Sequence, residues 1–138
     1  MATFNKIRAF VEDVAEKKHN LGTDQLVVAL TAAANAPVNT NTVLANLTQI
    51  TYTNLSTRNI TTVSSAQTAG TYKLTLTDLV LTSTGGTTGP FRYVVIYNDT
   101  AANDELIGWY DYGSDITLAD GETLTIDFDG TNGALTIA

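Results

Sequence analysis

The sequence predicts a mainly β fold, a β-sandwich or jelly-roll-like single domain with one α-helix at its N-terminus. Three observations predict it. The 138 residues include only 15% charged ones, so polarity comes from Thr, Asn, Ser and Gly, a mixture suited to pleated surfaces with one wet face. About eight short apolar runs are separated by turn residues. Helical periodicity is confined to the start of the chain. A chain of this length buries one core and not two, and no shift in composition marks a linker. Residues 1–22 are therefore expected as a helix within the same unit and residues 23–138 as the β-sandwich.

Phe4, Ile7, Phe10, Val11, Val14 and Ala15 recur at three- and four-residue steps and predict the helix, with Thr3 as its N-cap. Lys17, Lys18 and His19 would occupy its last turn, where positive charge suits the carbonyl end of the dipole. Asn20-Leu21-Gly22 would then supply the left-handed stop. The long apolar stripe makes Phe4 and Ile7 candidate interface residues on that helix, against the simpler alternative that it seals its own core.

From Asp24 the period changes. Gln25 to Leu30 reads as a strand buried on at least one face, and Ala32 to Thr42, with Pro37, as an irregular connection. Val43 to Leu47 fits either one helical turn or a short strand. Ile50 to Tyr52, Asn59 to Val63 and Thr71 to Leu81 follow as strands, the last with Tyr72, Leu74 and Leu76 alternating against Lys73, Thr75 and Thr77. The glycines at 85, 86 and 89 break the chain before Phe91 to Tyr97, an aromatic and β-branched run suited to a central strand. Leu106 to Tyr112, Asp115 to Leu118, Thr123 to Phe128 and Leu135 to Ile137 complete the set. The last two are expected to form a hairpin around Asp129-Gly130-Thr131-Asn132-Gly133.

No cysteine is present, which excludes disulfides, thiolate metal sites and a cysteine nucleophile. The only histidine is His19, and as a helix-end contact it leaves no imidazole for a triad or a metal cluster. Asp127 and Asp129, with Asp111 and Asp115 nearby, lack the ligand spacing of a calcium loop and read as solvated turn residues. No catalytic, cofactor-binding or metal site is expected, and the chain is read as a non-enzyme. Residues 1–69 hold five Lys/Arg against four Asp/Glu, whereas residues 70–138 hold two against ten. Such an acidic half repels phosphate, so no nucleic-acid partner is expected. No apolar run reaches the length of a membrane helix and none resembles a signal peptide, so no membrane partner is expected and synthesis is placed in the cytoplasm. Alternation leaves part of the cluster Phe91, Tyr93, Tyr97, Trp109, Tyr110 and Tyr112 outside a core. Tyr93, Trp109, Tyr110 and Tyr112 therefore join Phe4 and Ile7 as candidate interface residues.

Six segments carry a resemblance that runs through most of the chain: Leu26 to Thr31, Ala36 to Leu44, Gly70 to Leu74, Gly89 to Asp99 (GPFRYVVIYND), Leu106 to Gly113 (LIGWYDYG) and Asp120 to Asp129. In them the sequence resembles a family of small virion proteins of tailed bacteriophages. The resemblance implies a head decoration or cement protein, located in the virion on the capsid surface, with the major capsid protein as partner. It also implies self-association into dimers or trimers, since such subunits sit over symmetry axes. A tail- or fibre-associated virion protein and a carbohydrate-binding β-sandwich module are the alternatives.

Overall fold

The computed structural model describes residues 2–138. In chain order its elements are strand β1 (Thr3–Lys6), helix α1 (Phe10–Ala15), then β2 (Leu26–Thr31), β3 (Asn59–Ile60), β4 (Thr62–Thr68), β5 (Thr71–Leu76) and β6 (Leu79–Thr82). The long strands β7 (Thr88–Asn98) and β8 (Leu106–Leu118) follow, then β9 (Thr123–Ile126) and β10 (Leu135–Ile137). All pairings are antiparallel. One layer is a five-stranded sheet in the order β1-β8-β7-β2-β3; facing it are β10-β5-β4 and the pair β6-β9. The fold is thus mainly β and sandwich-like, with one helix near the N-terminus. Among the described residues no helix is long and apolar enough to cross a membrane.

The large sheet is apolar on both faces, which explains why every residue of β2 is buried. Leu26, Val28 and Leu30 alternate into the main core with Phe91, Val94 and Ile96, meeting Leu74, Leu76, Leu81, Ile126 and Phe128 from the second layer. Val27 and Ala29 point the other way, with Ile7, Val95, Tyr97 and Leu106. Leu44 and Leu47 from the long connection between β2 and β3 cover that second face. The same connection closes the edge of β2 beyond β3. Arg58 donates through Nη1 to the Val28 carbonyl at 2.6 Å and accepts from the Val28 N–H through its own carbonyl. The Leu30 carbonyl accepts from Ile50 and the Leu30 N–H donates to the Tyr52 hydroxyl at 2.9 Å. The Arg58 guanidinium lies 3.8 Å from the Tyr52 ring centre, so one stacked pair holds the cover in place.

The N-terminal helix is much shorter than the stripe implies. Met1 lies outside the described residues, Thr3–Lys6 form a strand beside β8, and only Phe10–Ala15 are helical. In a helix Phe4, Ile7 and Phe10 would share one face. Here Phe10 enters the main core and Ile7 enters the cluster on the opposite side of the sheet. An open ladder on β8 and strand-favouring Thr3, Phe4 and Ile7 outweigh a helix too short to be stable by itself. Thr3 accordingly caps nothing, and the left-handed stop is Lys17, with φ 64°.

Other boundaries also move. Ile50 to Tyr52 is not a strand but the cover of β2, and Leu44–Asn46 is a single 3₁₀ turn. Thr71 to Leu81 divides into β5 and β6, while Leu106 to Leu118 is one continuous strand. The expected C-terminal hairpin does not form. β9 pairs with β6 and β10 with β5, so the loop at 127–134 carries the chain from one small sheet to the other. That loop is stabilised by Asp129, whose Oδ1 accepts from the N–H groups of Thr131 and Asn132.

Candidate functional site

His19 does not lie in the last turn of a helix, because α1 ends at Ala15. It belongs to a buried polar cluster where the turn after α1 meets the start of β2 and the end of β7. Asn98 is fully buried and fixes the arrangement. Its Oδ1 accepts from the N–H groups of Thr100 and Ala101, and its Nδ2 donates to Asp24 Oδ2 at 2.7 Å. The second Nδ2 hydrogen therefore faces His19 Nδ1 at 3.0 Å, which makes Nδ1 an acceptor and places the imidazole proton on Nε2. Nε2 faces Asp13 Oδ2 at 4.0 Å, and Asp13 Oδ1 is paired with Lys18 Nζ at 3.0 Å. The His19 side chain has no solvent-exposed surface, so it cannot reach a substrate.

Burial pushes the His19 pKa below its ordinary value, against the raising influence of Asp13, Glu105 and Asp24. The sign of the consequence follows from linkage. The unfolded chain takes up a proton as pH falls through about 6.5 and the folded chain only at lower pH, so this contribution to stability is complete above that pH and declines below it. Urea unfolding at pH 7.5 and 5.5 should show lower stability at the lower pH. His19→Gln should flatten this interval, because no other histidine titrates there.

The acidic residues have structural partners. Asp111 forms a two-bond pair with Arg92 across β7 and β8, with distances of 2.8 and 3.1 Å, and the guanidinium holds the carboxyl below the usual carboxylate range. Asp115 Oδ1 accepts from the Ala33 N–H, and Asp127 Oδ1 accepts from the Asp129 N–H. Among the described residues no three His, Asp or Glu side chains gather as a metal site.

The six candidate interface residues separate into two groups. Ile7, Tyr93 and Tyr110 are buried, at 0, 8 and 4% exposure, and are corrected to core or near-core residues. The reason is register: Tyr110 pairs with Val94 and Phe4, so its ring points into the sandwich, 6.1 Å from that of Phe128. That burial pushes the Tyr110 hydroxyl pKa far up. Phe4, Trp109 and Tyr112 remain partly exposed. Tyr112 packs against the main core and so is not part of a patch with Trp109. Phe4 and Trp109 separate to opposite faces of the sheet: Phe4 pairs with Tyr110 and packs on the main core, whereas Trp109 pairs with Asn5 and packs on the second cluster. Trp109 lines an open depression of about 510 Å³ with β1, Pro37 and Val38, at the outer edge of the sheet.

Val38, 51% exposed, is the apolar tip of this surface and is not singled out by periodicity, because it lies in an irregular connection. A second depression, of about 530 Å³, opens where Phe4 and Phe10 face Ala134 and Leu135, between the edges of β1 and β10. Its two walls lie 130 residues apart in sequence, so local pattern cannot reveal it. The arrangement offers apolar contact area at a sheet edge. Compared with family models, curated proteins and solved structures, the chain matches none.

Proposed function

We propose that this protein is a non-enzymatic structural component of a tailed-phage particle that decorates and cements the outer capsid surface. Its partner is the major capsid protein, and it acts as a dimer or trimer in the virion. The observation that carries the reading is the open surface at Trp109, Pro37 and Val38, bounded by the outer edge of β1. A shallow surface with an aromatic anchor suits a broad protein partner better than a small ligand, which is normally enclosed. The resemblance supports the reading through the blocks GPFRYVVIYND and LIGWYDYG, which fall in β7 and β8, the central pair of the large sheet.

The test is the protein content of purified particles from the strain that carries the coding sequence. Quantitative mass spectrometry is expected to find the protein in high copy, in proportion to the major capsid protein. A few copies per particle would move it to the tail or a fibre, and absence would remove it from the virion. Val38→Asp should reduce binding to undecorated particles by about tenfold or more, the scale of one lost anchor. Because Val38 is exposed, the thermal midpoint of the isolated protein should stay nearly unchanged.

A further inference from the structure

The outer strand of the small sheet is built unlike any other edge in the molecule. β4 pairs only with β5, and all its residues after Thr62 are exposed, with Val63 at 62%. Neither face of this strand is covered. Its residues, Thr62-Val63-Ser64-Ser65-Ala66-Gln67-Thr68, include no charge, no proline and no glycine. Proteins normally blunt a free edge with charge, proline, shortness or a covering loop. The other edges here follow that rule. β2 is closed by Arg58, Ile50 and Tyr52, β3 has two residues, β10 has three, β6 and β9 have four each, and the four residues of β1 end on Lys6.

The turn after β4 fixes which groups face outward. Ala69 and Gly70 both have positive φ, 50° and 85°, as a two-residue hairpin loop requires, and Thr68 pairs with Thr71. Thr68 and Thr71 are then a hydrogen-bonded pair, and alternation gives the same role to Ala66 with Lys73 and Ser64 with Thr75. Ser65 and Gln67 therefore direct their backbone N–H and C=O groups away from β5.

We infer that β4 is the self-association edge of this protein, pairing antiparallel with β4 of a second copy across a twofold axis at Ser65. This deepens the self-association in the proposed function. Charge selects the occupant. The chain carries a net charge of −7, and its acids are concentrated in residues 70–138, so a second copy is repelled from most approaches. At β4 it meets no charge. A twofold at Ser65 places Ser65 opposite its own copy, Ser64 opposite Ala66, Val63 opposite Gln67 and Thr62 opposite Thr68, with no like charges facing. The outward groups of Ser65 and Gln67 then meet outward groups of the other copy, and the three-stranded sheet continues into one of six strands. A single added strand buries less than a standard interface, so the dimer is concentration-dependent in solution and gains strength on a repeating surface.

The test is sedimentation equilibrium of the full chain and of two double variants. The unsubstituted protein should dimerise, whereas Ser64→Asp with Ala66→Asp, and Ser64→Lys with Ala66→Lys, should each be monomeric because equal charges face across the axis. Both variants should keep the β-type circular dichroism and the thermal midpoint of the monomer, since these side chains are exposed. An equimolar mixture of the two should recover dimers. An unsubstituted protein that stays monomeric up to about 1 mM overturns the inference. So does an Asp variant that dimerises normally, as expected if the contact lies elsewhere or β4 serves a different chain, and so does a mixture that stays monomeric. Absence from particles would leave a positive dimer result intact, and a monomer would leave the virion reading intact.

Discussion

Asn98→Ala should lower folding stability by about 3–4 kcal/mol, the largest loss expected from removing one polar side chain here. Asn98 makes four hydrogen bonds from a fully buried position. Alanine removes the acceptor for the N–H groups of Thr100 and Ala101 and the donor for His19 and Asp24. Asp24 keeps the N–H of Asn20 at 2.8 Å, but His19 Nδ1 is left without its partner in a site that excludes solvent. Each buried group left unpaired costs about 1–3 kcal/mol, and the total is limited because the loop at 99–104 can turn its own N–H groups to water. Urea unfolding at pH 7.5 measures the difference. Asn98→Asp should be at least as damaging, because it keeps the acceptor but sets a second carboxylate against Asp24. A loss below about 1 kcal/mol for both variants would mean that the cluster adds little to the fold.

This cluster also marks where sequence pattern stops being informative. Asp13, His19, Asp24 and Asn98 come from four places along the chain, and none stands at a spacing that announces a site. His19 followed by Asn20 and Gly22 looks like the end of a helix because local composition is the only context available. What decides its role is the end of β7, 79 residues away. The strands whose signal is intrinsic were legible: Leu26 to Leu30, Phe91 to Tyr97 and Leu106 to Tyr112 lie within β2, β7 and β8. Their β-branched and aromatic residues suit a sheet buried on both faces.

The misread segments share one property, which is that a distant partner determines their conformation. Thr3–Lys6 is extended because β8 offers a ladder, although its apolar spacing also fits a helix. Thr62–Thr68 has no alternation of burial to detect, because neither of its faces is covered. Thr123–Ile126 and Leu135–Ile137 look like a hairpin by proximity, yet each pairs with a different strand much earlier in the chain, β6 and β5. Of the candidate interface, Trp109 is the residue left at an open rim. The register between β1 and β8, which sets Phe4 beside Tyr110 on the core face and Trp109 on the other, was needed to separate it from the core aromatics.

Gly108→Ala is the second large effect expected, with a loss of about 3 kcal/mol. Gly108 pairs with Lys6 in the β1–β8 ladder, beside a bulge that sets Ile107 and Gly108 against Ile96 of β7. A Cβ at this position would lie 2.3 Å from the Phe4 ring and 2.7 Å from the Asn5 carbonyl oxygen. The ring belongs to a partly exposed side chain and can swing aside. The carbonyl is backbone, so relief requires β1 to move away from β8. That movement would also withdraw Ile7 from the second cluster, since the Ile7 N–H is bonded to the Ile107 carbonyl at 3.1 Å. Gly113→Ala provides the contrast, because its φ of 84° adds strain but no atom lies within 4 Å of the new methyl, and about 1 kcal/mol is expected. Adding Phe4→Ala to Gly108→Ala should recover only part of the loss. Hydrogen exchange should place the lost protection on residues 3–7, the strand that the methyl group forces away. Full recovery in the double variant would show that the ring alone sets the need for glycine; no recovery would assign the whole effect to the Asn5 carbonyl.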